Sequence, residues 1–144
     1  MFMDRYLEFI GNHPIIFTAL AAVLGMIAYV EYERMFSGIK QLSPLEATRL
    51  QNDDDAQFVD VREDAEYKRG HVMGAKHIPV GVLDKRMAEL DKLKKKPLIV
   101  YCATGARASR AASRLRKNGF ENVYTMAGGI ANWEKASMPL STKS

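Results

Sequence analysis

The sequence predicts an α/β fold, a mostly parallel sheet with helices on both faces, preceded by one N-terminal transmembrane helix. Three observations carry that prediction. From residue 44 onward, short apolar runs alternate with segments of helical character. One of these runs, PLIVYC at 97–102, is apolar almost throughout, the pattern of a central strand covered on both faces. The 22 residues from Phe9 to Val30 carry no formal charge.

The uncharged run comes first in the chain. A helix rises about 1.5 Å per residue, so the run reaches roughly 33 Å. The hydrocarbon layer of a bilayer is ~30 Å thick. A transmembrane helix is expected over about 13–32, with Pro14 in the first turn, where a missing N–H costs nothing. Tyr29, Tyr32 and Phe36 stand where an interfacial aromatic belt stands. A cleaved signal peptide fits poorly. The leader MFMDRYLE sets Asp4 and Glu8 against Arg5, and no A-x-A site precedes EYER. A buried core helix fits poorly too, because the apolar character runs all round. Residues 1–36 are therefore expected to form a membrane anchor and 37–144 a soluble domain. Arg34 and Lys40 follow the span against Arg5 before it, so the positive-inside rule places the domain in the cytoplasm, on a single-pass anchor in the inner membrane.

The soluble part follows a linker around Ser37–Gly38. Ser43, Pro44 and Glu46 form a helix start with a capping box, and the helix runs to about Gln51. AQFVDV (56–61) is a strand, EDAEYKRG a short helix or turn ending at Gly70, and AKHIPV (75–80) a second strand. Leu83, Met87, Leu90 and Leu93 recur at helical spacing, which predicts a helix over 82–93. The strand at 97–102 comes next. A basic, Ala-rich helix follows it, stopped by Gly119. ENVYTMAGG is the last strand and turn, and GIANWEKA the last helix.

Composition narrows the function. With 47% hydrophobic and 26% charged residues the chain is an ordinary folded protein. A net charge of +4, evenly spread, argues against nucleic acid. One cysteine excludes an intramolecular disulfide and any CxxC pair, in keeping with a reducing compartment. His13, His71 and His77 are too few and too scattered for a metal site, and no metal or other cofactor is expected.

That cysteine, Cys102, ends the central strand, and ligands of open α/β sheets bind beyond the carboxyl ends of strands. Residues 103–107 bridge the strand to the next helix. Amides at a helix N-terminus lack intrahelical partners, and curled round one point they attract an anion. Here the anion is the sulfur. Helix N-termini and adjacent cations favour the thiolate, which is the nucleophilic form, and Arg107 and Arg110 supply positive charge. Gly105 permits backbone angles that a side chain forbids. Ala103, Thr104 and Ala106 are too small to roof the sulfur. A cysteine acting only as a small buried hydrophobe needs none of these surroundings.

CATGAR (102–107) resembles the active-site loop of rhodanese-like sulfurtransferases, Cys-x-x-Gly-x-Arg. VDVRED (59–64), GHVMGAKHIPV (70–80) and AGGIANW (127–133) are similar to three further motifs of that family, in the same order. FIGNHPI before the span and EATRL after it resemble the membrane-anchored members. The resemblance spans about residues 39–140. It implies five parallel strands flanked by helices, and a persulfide mechanism without cofactor. Cys102 would take a sulfane sulfur from a donor such as thiosulfate and pass it to a thiol or cyanide-like acceptor, free or carried by a protein. The amides of Ala103, Thr104, Gly105, Ala106 and Arg107 would hold the thiolate and persulfide. Asp60 and Arg62 match a strand-end pair, read as an ion pair supporting the loop. His71 and His77 match structural positions, and Trp133 reads as core. Ala103 stands where many members carry a basic residue, which removes one cation from the pocket mouth.

Two rivals are weighed against this. A cysteine phosphatase or arsenate reductase needs five residues between cysteine and arginine to cradle a phosphate, and here there are four. A non-catalytic docking module at the membrane shares the fold. The run KLKKK (92–96) is a solvated turn or a contact to anionic headgroups. The cationic helix with Arg110, Arg114, Arg116 and Lys117 offers a face to an acidic acceptor protein.

Overall fold

The computed structural model of the protein describes residues 1–36 and 38–143, without the side chains of 33–36. The linker position Ser37, the belt residue Phe36 and the charge of Arg34 thus fall outside the described residues. The chain divides into two units, residues 1–38 and 39–144.

The first unit is helical, with α1 at Phe2–Asn12 and α2 at Pro14–Phe36. The uncharged run is not one helix. His13 takes φ −129° and ψ 52° between the two. Pro14 is the cause, because it disfavours helical geometry in the residue before it. Within α2, Pro14–Tyr32 is long and apolar enough to cross a membrane, with a mean hydropathy of 1.9 and none of it buried.

The second unit is built on five parallel strands in the order β1-β5-β4-β2-β3. They are β1 (Lys40–Leu42), β2 (Gln57–Asp60), β3 (Lys76–His77), β4 (Leu98–Tyr101) and β5 (Val123–Met126). The helices are α3 (Pro44–Asp54), α4 (Asp64–Arg69), α5 (Leu83–Arg86), α6 (Ala106–Lys117) and α7 (Gly129–Lys135). The capping box at the start of α3 forms as expected. The Glu46 amide donates to the Ser43 hydroxyl at 3.2 Å, and the Ser43 amide to the Glu46 carboxylate at 2.8 Å.

Alternation along β4 divides the core in two. Leu98 and Val100 point to the face covered by α5 and α6, with Leu83, Ala108, Ala111, Ala112 and Leu115. Ile99 and Tyr101 point to the face covered by α3 and α7, with Ala47, Ile130 and Trp133. All four residues of β4 are buried, as a strand apolar on both sides must be.

Three expectations need correction. Residues 40–42 form a strand that no pattern in the sequence marked, because only Leu42 of the three is buried. The second strand is two residues long, not six, since Pro79 lacks the N–H that a ladder needs. The helix expected over 82–93 is one α turn, α5, between two 3₁₀ segments at Val80–Val82 and Met87–Leu93. A 3₁₀ helix has three residues per turn, so Met87, Leu90 and Leu93 form one ridge on the core.

Candidate active site

The order of the strands turns round between β2 and β4. From β2 the chain runs through α4 outward to β3, and from β4 it runs through α6 to β5 on the other side. Such a reversal opens a crevice at the carboxyl ends of the two strands. Cys102 and the loop after it lead from β4 into the first turn of α6 with Arg107, and the loop after β2 leads from Arg62 into the first turn of α4 with Glu66. Each belongs to one wall of this crevice.

Cys102 is 1% exposed and belongs to the core on the α6 side. Above it Ala103 and Gly105 are half-buried, and Thr104 and Ala106 are exposed. Its Sγ accepts hydrogen bonds from the amides of Gly105, at 3.0 Å, and Ala108, at 3.4 Å. Both donors belong to the start of α6, where amides have no intrahelical acceptor. Of the five loop amides expected around the sulfur, only that of Gly105 bonds Sγ. Ala108 lies beyond the segment that the sequence singled out.

Gly105 takes φ +124°, and a Cβ there would meet nothing within 4 Å, so it is the backbone angle that calls for glycine. A second glycine works by closeness. A Cβ on Gly129 would lie 2.4 Å from the carbonyl oxygen of Cys102 and 2.6 Å from that of Ala103. Those carbonyls are held by the start of α7. The Ile130 amide donates to Cys102 O at 2.9 Å, and the Ala131 amide to Ala103 O at 3.3 Å. With its carbonyls tied to α7, the loop leaves the following amides for the sulfur.

Arg107 does not stand free above the sulfur. Its Nη1 and Nη2 donate to the two carboxylate oxygens of Glu66 at 2.9 and 2.8 Å. The pair straddles the crevice between the two loops. Hydrogen bonding to Arg107 holds the Glu66 carboxyl down to about 2. The same bond raises Arg107, and the charge of Cys102 adds to it. Glu66 also accepts from the Glu63 amide at 3.0 Å, which ties it to the first turn of α4. Glu66 is not among the residues that the sequence marks for the site. The available signal was chemical: EDAE ends one strand, GARASR ends another, and neighbouring parallel strands bring acid to base.

Asp60 and Arg62 form a buried ion pair, 0% and 5% exposed. Arg62 Nε lies 3.0 Å from Asp60 Oδ1, and Nη2 lies 2.7 Å from Oδ2. Nη2 also donates to the carbonyl of Gly70 at 2.8 Å, and the guanidinium lies 5.7 Å from the centre of the Tyr101 ring. Burial, and then the Asp60 charge, push the Tyr101 phenol upward, and its oxygen accepts the Val72 amide at 3.1 Å. Among the described residues no hydrogen bond of the Asp60–Arg62 pair reaches residues 103–107. The pair braces the end of β2 against Gly70.

His71 is buried, with Nδ1 3.0 Å from Tyr67 O and Nε2 2.8 Å from Lys143 O. His77 Nε2 lies 2.8 Å from Arg62 O. Both imidazoles stack on the Tyr67 ring. Trp133 packs edge-on against Phe58 and donates to Pro139 O at 2.9 Å. All three side chains are committed to structure. Among the described residues, no cluster of His, Cys, Asp or Glu is placed to hold a metal ion.

The profile of the rhodanese-like domain matches residues 43–136. The chain belongs to the rhodanese-like domain family. Over 139 residues it is 33% identical to Uncharacterized protein YibN of Escherichia coli, a match covering 96% of this chain and 97% of that one. It is 36% identical over 102 residues to Thiosulfate sulfurtransferase GlpE of Coxiella burnetii, covering 71% and 92% of the two chains. The fold is shared with a rhodanese-related protein of Thermoplasma volcanium, at a TM-score of 0.65 and 24% identity over 72% of this chain and 99% of that one. The rhodanese-like match lies within the unit 39–144, and that to YibN extends across the apolar N-terminal helix as well.

Proposed function

We propose that the protein is a membrane-anchored sulfurtransferase that moves a sulfane sulfur through a persulfide on Cys102. The observation that carries this reading is the sulfur itself. It lies at the carboxyl end of the central strand, buried at the foot of its loop, with the Gly105 and Ala108 amides donating to it. The likeness to GlpE supports the same chemistry.

The reaction has two displacements. The Cys102 thiolate attacks the outer sulfur of thiosulfate, the S–S bond of the donor breaks, and sulfite leaves with the electron pair. The enzyme then holds Cys102–S–S⁻. An acceptor thiolate or cyanide attacks that outer sulfur and regenerates the Cys102 thiolate, so charge and electrons balance over the cycle. Each step builds negative charge on sulfur, where pre-aimed amides act without reorganisation. A persulfide puts the transferable sulfur about 2 Å beyond Sγ. Ala103, Thr104, Gly105, Ala106 and Arg107 form the loop that receives it. Arg107 acts chiefly by locking that loop to α4 through Glu66, and Asp60 and Arg62 support the wall that carries α4. In this reading α2 is a single-pass anchor in the inner membrane, and residues 37–144 work in the cytoplasm.

The test is the intact mass of the protein after thiosulfate, and in parallel after a polysulfide donor, with Cys102→Ser as control. A gain of about one sulfur, about 32 Da, is expected in the parent only, and a thiol reductant should remove it. No gain with either donor would leave a rhodanese-like domain that docks at the membrane without transferring sulfur.

A further inference from the structure

The mechanism leaves the N-terminal helix α1 without a role. Its sequence is FMDRYLEFIGN. Wound at 3.6 residues per turn, Phe2, Met3, Tyr6, Leu7, Phe9 and Ile10 fall within one sector of roughly 160°. Asp4, Arg5, Glu8, Gly11 and Asn12 occupy the remainder, and no residue crosses between the two sets. Six large apolar side chains on one face are then exposed together, from Phe2 at 81% to Ile10 at 44%. No residue of α1 is buried. Isolated exposed apolar side chains are ordinary, but a contiguous helical face of them marks a surface that something covers.

The chain itself states what lies next to this face. One residue, His13, separates α1 from α2, which is apolar all round and unburied. If α2 enters a bilayer at Pro14, α1 is held at the bilayer surface. The two helices share an aromatic corner: the Phe9 ring stands edge-on to Phe17 at 6.1 Å and tilted on His13 at 4.9 Å. The charges on the polar face are also nearly balanced. The Met1 ammonium is 2.8 Å from Asp4, and the remaining charges of the helix are one arginine, Arg5, and one glutamate, Glu8. A charged polymer therefore has little to bind, whereas an amphipathic helix lying in the headgroup region buries its apolar sector in the acyl boundary.

We propose that α1 is an interfacial helix, lying in the plane of the membrane with Phe2, Met3, Tyr6, Leu7, Phe9 and Ile10 in the lipid. The occupant of this face is the bilayer. Because its charges cancel, α1 binds through apolar area, and anionic lipid is not required. The helix then works as a stop that sets the depth of α2. The proposal rests on the anchor reading of α2, and its test separates the two.

The test is spin-label accessibility on the full chain in phosphatidylcholine vesicles. Cys102→Ser removes the native thiol, and single cysteines are placed at Tyr6 and Ile10, at Asp4 and Glu8, and at Leu20 and Val23 of α2. Labels at 6 and 10 are expected to show an oxygen-to-nickel-chelate accessibility ratio several-fold above that of labels at 4 and 8. Labels at 20 and 23 should lie deeper still. Equal water access at 4, 6, 8 and 10 would overturn the interfacial helix. So would shielding of 6 and 10 from both reagents, which would mean that a second copy or another protein covers the face. In either case, lipid access at 20 and 23 would leave the anchor standing. Water access at 20 and 23 would overturn the anchor and, with it, the proposal for α1.

Discussion

Gly129→Ala tests how the cysteine loop is held. The new Cβ would sit 2.4 Å from Cys102 O, 2.6 Å from Ala103 O and 2.7 Å from Ala103 C, all backbone atoms without a rotamer to escape by. Loop and helix must part by roughly half an ångström or more to restore van der Waals contact. That movement stretches the bonds from the Ile130 and Ala131 amides to the same carbonyls. Alanine at φ +62° adds a left-handed backbone cost of about 1–2 kcal/mol, and overpacking typically adds about 1–3 kcal/mol. The expected loss is about 3 kcal/mol of unfolding free energy. A displacement of this order at a nucleophile can cost ~10²-fold in rate. Gly119→Ala is the control, since Gly119 has φ +91° but nothing within 4 Å of its Cβ. It should lose about 1 kcal/mol and keep full sulfur transfer. Urea unfolding of residues 39–144 and thiosulfate turnover measure both. If Gly129→Ala matched Gly119→Ala in stability and rate, the loop would not be held by α7.

Three further outcomes follow from the geometry. Asp60→Asn removes the charge facing buried Arg62, and the urea midpoint should fall by the equivalent of about 3 kcal/mol or more; a loss under about 1 kcal/mol would mean that the pair contributes no more than a surface bridge. Tyr101→Phe strips the buried Val72 amide of its acceptor, so about 1–3 kcal/mol should be lost in the same assay; an unchanged midpoint would show that amide satisfied elsewhere. Glu66 has its carboxyl held to about 2, below the ~4.3 of an unfolded glutamate, so the stabilisation is complete above pH ~4.5 and is lost as pH falls toward 2. The parent and Glu66→Gln should therefore differ by about 1 kcal/mol at pH 6, the pair being partly solvent-screened, and converge by pH 2; a gap that persists at pH 2 would assign the difference to packing.

What the sequence determined by itself is what lies within a few residues of its cause. The capping box at Ser43 and Glu46, the apolar run of β4, and the small loop after Cys102 were all legible because each depends on local chemistry. The place of Cys102 was legible for the same reason: one cysteine stands between a strand and a helix, and that order alone exposes unpaired amides to it. The tertiary structure decided the pairings. Lys40–Leu42 becomes a strand because β5 offers it an edge, not because its own residues alternate. The 87–93 segment winds as 3₁₀, with Met87, Leu90 and Leu93 on the core, where the spacing in the sequence served an α-helix equally well. Glu66 finds Arg107 across 41 positions of sequence, and Gly129 finds the Cys102 carbonyl across 27, through a sheet order that no single segment encodes. Contacts of that range depend on which strands become neighbours, and that choice belongs to the whole core.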